Sequence, residues 1–217
     1  MKIIFIHIPK CAGRSVNGAL LPRFPQEKTL KVWNPKFGAD IDAAGFKNMD
    51  LKAITQKDLI LGHIQLDIVV DKLKASFSEY TPITVVRDPL ARVISLYHYI
   101  RRTKYHLQHE QVCNVSLHDF IISQPANYQS NYLVHSDTVN TYEYLNSMGV
   151  KVFSQLHLRH LFNYVSELFG ENVPELAENK NPQREGIEID EAACAQFIER
   201  NKRDYILYEQ VLADYAA

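Results

Sequence analysis

Four short apolar runs constrain this chain more than any other feature: "KIIFIHI" at 2–8, "DLILG" at 58–62, "TPITVV" at 81–86 and "GVKVF" at 149–153. Each is nearly continuous and lacks the polar alternation of a strand that wets one face. Runs of this kind suit strands covered on both sides, as in a parallel sheet between two helical layers. Helical sequence falls between them. Residues 15–21 can start a helix with Ser15 as N-cap. Residues 89–103 carry the clearest signal: Asp88 caps, Pro89 fits the first position, and Leu90, Val93, Ile94, Tyr97 and Ile100 recur at helical spacing. Residues 156–169 and 191–215 supply further helices, the last broken near Asn201, and the polar stretches 104–116, 124–141 and 171–189 read as loops. The expected fold is therefore α/β, with three layers built on a central parallel sheet of four or five strands. No repeat or Gly/Ser-rich linker divides the chain, so one domain over 1–217 is expected.

Composition narrows the function classes. A net charge of −1 disfavours a general nucleic-acid or membrane-surface binder, so anion recognition has to come from a few converging cations. The apolar runs are far too short to cross a bilayer, and strand-like sequence follows Lys2 at once, without a signal-peptide pattern. Cys11, Cys113 and Cys194 form no paired framework. They point to a reducing compartment, and the expected location is cytoplasmic.

In open α/β sheets ligands bind beyond the carboxyl ends of the strands, so each strand is read for what it delivers there. The first delivers Lys10 and a glycine-containing turn through Ala12, Gly13, Arg14 and Ser15. The second, "LILGH", delivers His63; the third, "ITVVR", delivers Arg87 and then the helix carrying Ser95. A cation, an imidazole and a guanidinium thus share one sheet edge if the strands run parallel. Each has a plainer reading: a solvated lysine, a structural histidine, an arginine pairing with Asp88, an exposed serine. Lys10 with Gly13 and Ser15 favours the anion-binding reading, because a strand-to-helix turn presents backbone N–H groups and a helix dipole. The turn is no Walker A loop, in which lysine directly precedes Ser/Thr; Arg14 stands there instead.

"HIPKCAGRS" resembles the 5′-phosphosulfate loop of sulfotransferases that use 3′-phosphoadenosine 5′-phosphosulfate (PAPS). "VVRDPLARVISLYHYIR" resembles their 3′-phosphate segment, in which Ser follows Arg by eight residues. The Gly-His after the second run and the tail "NKRDYILYEQVL" are similar to the branch with heparan sulfate 2-O-sulfotransferases and related bacterial proteins. The resemblance implies that Lys10 contacts the phosphosulfate and stabilises the leaving phosphate oxygen. It implies that Ala12, Gly13, Arg14 and Ser15 cradle that group, that Arg87 and Ser95 hold the 3′ phosphate, and that His63 is the general base. Arg184, in "NKNPQRE", stands where relatives return a basic loop over the nucleotide. Cys11, Ala12 and Arg14 depart from the Thr, Gly and Thr of many relatives.

The implied activity is sulfuryl transfer from PAPS to an acceptor hydroxyl, most readily on a carbohydrate, with release of the desulfated nucleotide PAP and no metal required. The chemistry fits these residue types. In-line transfer rests on positioning and charge stabilisation, which a mobile ammonium, a planar guanidinium and an imidazole titrating near neutrality can supply. The implied partner is a hydroxyl-bearing acceptor such as a saccharide, with no nucleic acid and no membrane; homo-oligomerisation is left open. Two other readings stay open: a P-loop kinase, and a non-catalytic nucleotide- or glycan-binding protein on the same scaffold. The stretch "RRTKYHLQHEQVC" reads either as a solvated helix end or as a rim for an acidic acceptor. "NYQSNYLVHSD" (127–137) reads as sugar- or adenine-lining residues or as loop packing.

Overall fold

Ile3, Ile4, Phe5 and Ile6 have no exposed surface, and they form β1 (Ile3–Ile6), the middle strand of a five-stranded sheet. The computed structural model describes residues 1–135, 140–175 and 191–215. β2 (Thr29–Val32), β3 (Leu59–Gly62), β4 (Thr81–Val86) and β5 (Lys151–Ser154) complete the sheet in the order β2-β3-β1-β4-β5. Every pairing is parallel. β1 sits in register with β3 from Ile3↔Leu59 to Ile6↔Gly62 and with β4 from Ile3↔Thr81 to Ile6↔Thr84. Full burial of such side chains contributes roughly 1.5–3 kcal/mol each, which makes β1 the anchor of the core.

The chain leaves β1 toward β2 and β3, then crosses back to β4 and β5. Strand order therefore reverses beside β1, and an α/β sheet opens its ligand crevice at the carboxyl edge of such a point. All four runs read from sequence are strands, and β4 has the expected bounds. β2 is the strand the sequence reading missed. "TLKV" is short and carries polar Thr29 and Lys31, as an edge strand can. Residues 34–41 fold back over that edge: the Asp40 carboxylate accepts the Lys31 N–H at 2.8 Å, and Trp33 N–H donates to the Ile41 carbonyl at 3.0 Å. The otherwise open ladder is thereby occupied.

The helix Pro89–Arg102 forms as its signals require, with the Asp88 carboxylate accepting the Ala91 N–H at 2.7 Å. It packs away from the main core. Val93, Tyr97 and Ile100 build a second apolar cluster with Val112, Phe120, Ile121 and Phe197. The closing helices are Glu191–Arg200 and Lys202–Ala213, broken at Asn201, and Leu158–Phe169 lies within the expected 156–169. The stretches read as loops contain the short helices His109–Cys113 and Tyr128–Leu133, too brief for a helical period to show. Residues 176–190, which hold the rest of the 171–189 stretch and Arg184, lie outside the described residues. Among the described residues no helix is long and apolar enough to cross a membrane.

Candidate active site

The turn after β1 is held open by its own backbone. His7 N–H extends the ladder to the Gly62 carbonyl at 2.9 Å, and Cys11 N–H closes back on the Ile8 carbonyl at 3.1 Å. Lys10 (φ 71°) and Ala12 (φ 56°) then take left-handed conformations. Non-glycine residues hold these only where the surroundings impose them, and such strain gathers at functional sites. The helix Gly13–Leu20 follows, with Ala12 as its N-cap, no capping side chain and no acidic residue in its first turn. Ser15 is therefore not the N-cap expected from sequence. The helix starts earlier because Gly13 and Arg14 already lie within it, and Ser15 is buried in the first turn. An uncapped helix N-terminus with Arg14 in its first turn offers N–H groups and positive charge to an anion.

Cys11 explains one departure from the family pattern. Its buried thiol donates to Gln129 Oε1 at 3.3 Å, and burial pushes its pKa up to about 12. It is an anchor, not a nucleophile. The same Gln129 grips the exit of β4, accepting the Arg87 N–H at 2.9 Å and donating Nε2–H to the Arg87 carbonyl at 2.8 Å. The buried Asp204 accepts the Gln129 and Ser130 N–H groups at 3.0 and 2.7 Å. Through these bonds the C-terminal tail fixes both turns of the site. Of the 127–137 stretch, Gln129 thus has a positioning role that no sequence signal distinguished from loop packing.

Arg87 is buried, and its Nη1 donates to the Lys10 carbonyl at 3.2 Å, tying β4 to the β1 turn. On the following helix Ser95, Tyr99 and Arg102 share one face at i, i+4 and i+7. The Ser95 hydroxyl is half-buried, and no hydrogen bond engages it among the described residues. The Lys10 ammonium lies 4.0 Å from the centroid of the Tyr99 ring, a cation–π contact. Burial, then Arg87, Arg102 and Arg14, lower the Lys10 pKa to about 8. Among the described residues no carboxylate is one of the groups that act on it; the Cys11 thiol opposes the fall. Tyr99 is a neighbour of Lys10 that sequence reading left out, as one ring among many, whereas Arg102 falls in the stretch read either as a helix end or as an acceptor rim.

His63 follows Gly62 at the end of β3. Its N–H donates to the Val32 carbonyl at 2.7 Å, and its Nδ1 lies 3.0 Å from the His7 carbonyl oxygen. A carbonyl can only accept, so Nδ1 carries the hydrogen and Nε2 keeps the lone pair. Solvent touches the residue, yet protein crowds the ring closely. Burial lowers the His63 pKa below its ordinary 6.5, the His7 carbonyl opposes that, and the Lys10 charge adds to it. At neutral pH the ring is therefore uncharged and able to take a proton. No group of three or more His, Cys, Asp or Glu able to hold a metal occurs among the described residues. Of the basic stretch, Arg102 is near enough for its charge to act on Lys10. His109 Nδ1 lies 3.0 Å from the Ile100 carbonyl, so it donates there.

Lys10, Arg87 and His63 thus stand together at the carboxyl edge of the sheet, at its topological switch point. Residues 1–209 match the model of the sulfotransferase family, and the chain belongs to that family. Its structure is similar to that of a sulfotransferase from Alicyclobacillus acidocaldarius, with a TM-score of 0.50 at 10% identity, over 97% of this chain and 96% of that one. It also matches mouse sulfotransferase SULT7A1, solved with PAP bound, with a TM-score of 0.47 at 15% identity over 91% of this chain. The chain spans 63% of the length of the mouse protein. At these identities the likeness speaks for the fold alone. No curated protein matches the chain in sequence.

Proposed function

We propose that the protein transfers the sulfuryl group of PAPS to an acceptor hydroxyl. One observation carries the reading: at the switch point of the sheet the Lys10 turn, tied to Arg87 by the 3.2 Å bond from Nη1 to the Lys10 carbonyl, leads into the uncapped N-terminus of the helix Gly13–Leu20. Burial, followed by the positive charges of Arg87, Arg102 and Arg14, lowers the Lys10 pKa to about 8, so a bound anion there would favour its charged form. A phosphosulfate is such an anion.

In this reading the backbone of Ala12, Gly13, Arg14 and Ser15, with the Ser15 hydroxyl, cradles the phosphosulfate, and Arg87 and Ser95 hold the 3′ phosphate. The acceptor oxygen forms its bond to sulfur as the sulfur–oxygen bond to the 5′ phosphate breaks. The acceptor proton passes to His63 Nε2, and Lys10 stabilises the charge that grows on the departing phosphate oxygen. PAP then leaves. The resemblance to the heparan sulfate 2-O branch favours a saccharide acceptor, and the three free cysteines favour a cytoplasmic setting.

The test is transfer of ³⁵S from labelled PAPS across a panel of hydroxyl-bearing acceptors, acidic and neutral saccharides included. Label on an acceptor, matched by released PAP, is the expected result. Label that stays on PAPS or appears only as inorganic sulfate across the panel contradicts the reading.

A further inference from the structure

The imidazole of His7 has no part in the chemistry above, yet it touches both halves of the site. It stacks on His63, with ring centroids 4.3 Å apart and planes inclined by 29°. It stacks with Phe5 as well, with centroids 5.3 Å apart and planes inclined by 16°. It also packs against Gly13 so closely that a β-carbon there would stand 1.7 Å from His7 Nε2. The glycine at the head of the phosphate-binding helix is thus the space the His7 ring fills. The His7 main chain meanwhile supplies the carbonyl that receives the His63 Nδ1–H.

We infer that His7 is a positioning residue, whose ring and carbonyl together fix the orientation and tautomer of His63 and tie that ring to the phosphate-binding turn through Gly13. The catalytic meaning rests on the proposed function; the coupling between the two rings does not. The ring face prevents His63 from rotating away from the carbonyl that dictates its tautomer. Nε2 is thereby held as the lone-pair nitrogen. The groups acting on the pair, among the described residues, are these. His63 feels the His7 carbonyl and the Lys10 ammonium, while His7 feels His63 and Lys10. Burial, followed by those two neighbours, holds His7 well below the ordinary imidazole range, so the stack joins two neutral rings.

Two-bond ¹H–¹⁵N spectra of the imidazoles across a pH titration read tautomer and midpoint directly, without an acceptor. The His63 signal is assigned by its loss in His63→Gln. In the wild type His63 is expected as a single Nδ1–H tautomer titrating below 6.5. His7→Ala removes the flat face, and His7→Leu fills the volume without one. Both are expected to show mixed tautomers, and His7→Ala an upward shift of the midpoint. His7→Phe keeps a flat ring and is expected to preserve the wild-type signature. A single wild-type tautomer in a folded Ala or Leu variant, or its loss in the Phe variant, overturns the inference. PAP binding is measured on the same samples. Its absence from the wild type would remove the proposed function while leaving the ring coupling to be judged on the spectra.

Discussion

Replacing His63 with alanine is expected to lower turnover by about 10²–10⁴-fold, the usual loss when a general base is removed. PAP affinity should stay within about threefold, well under the tenfold that 1.4 kcal/mol represents. The split follows from geometry. His63 hangs from the end of β3 by the Val32 and His7 carbonyls, whereas the cations gather around Lys10, Arg87 and the helix beginning at Gly13. Removing the imidazole takes away the acceptor of the hydroxyl proton and none of the cations. Steady-state rates of label transfer, with calorimetry on the same protein, check both halves. Retained turnover would remove His63 from the role of base; a parallel collapse of PAP binding would show that it serves the nucleotide instead.

The second large effect is expected at Gly62, where alanine should destabilise the fold by about 3 kcal/mol or more. Gly62 has φ of 155°, and an added β-carbon would lie 1.9 Å from the Val32 carbonyl oxygen. That oxygen accepts the His63 N–H at 2.7 Å, so the clash falls on the contact that joins β2 to β3 and delivers the histidine. Backbone cannot swing aside as a side chain can. For a chain of this size the cost corresponds to a fall in Tm of about 10 °C. A melting temperature within about 2 °C of the wild type would show that β2 yields at little cost.

Much of the architecture was legible because the pattern is blunt. "TPITVV" is apolar throughout and ends in Arg-Asp-Pro, so strand, exit and helix cap could all be placed. β2 escaped because an edge strand half covered by a returning loop needs no continuous apolar run. In the site, Lys10, His63 and Arg87 were legible as strand-end residues of a parallel sheet, and the structure brings Lys10 into contact with Arg87 and near enough for its charge to act on both His7 and His63. The supporting residues were not legible. Gln129 and Asp204 act from 42 and 75 residues away through backbone hydrogen bonds. Such bonds leave no local pattern. His7 reads as one more residue of an apolar run until its ring is seen against Gly13. The Ser15 cap was misjudged because the turn is made by two left-handed residues, and left-handed non-glycine backbone has no sequence signature at Lys10 or Ala12.

The central claim is that this crevice binds a nucleotide carrying a 3′ phosphate. The most direct test is calorimetric titration of wild type and Arg87→Ala with PAP, 5′-AMP and Mg·ATP. The buried Arg87 guanidinium is expected to meet the phosphate that AMP lacks, and a charge-assisted contact contributes about 1.5–3 kcal/mol. PAP should therefore bind the wild type at least about tenfold more tightly than AMP, and Arg87→Ala should erase most of that advantage. Equal binding of PAP and AMP, or tighter binding of Mg·ATP than of PAP, would contradict the account.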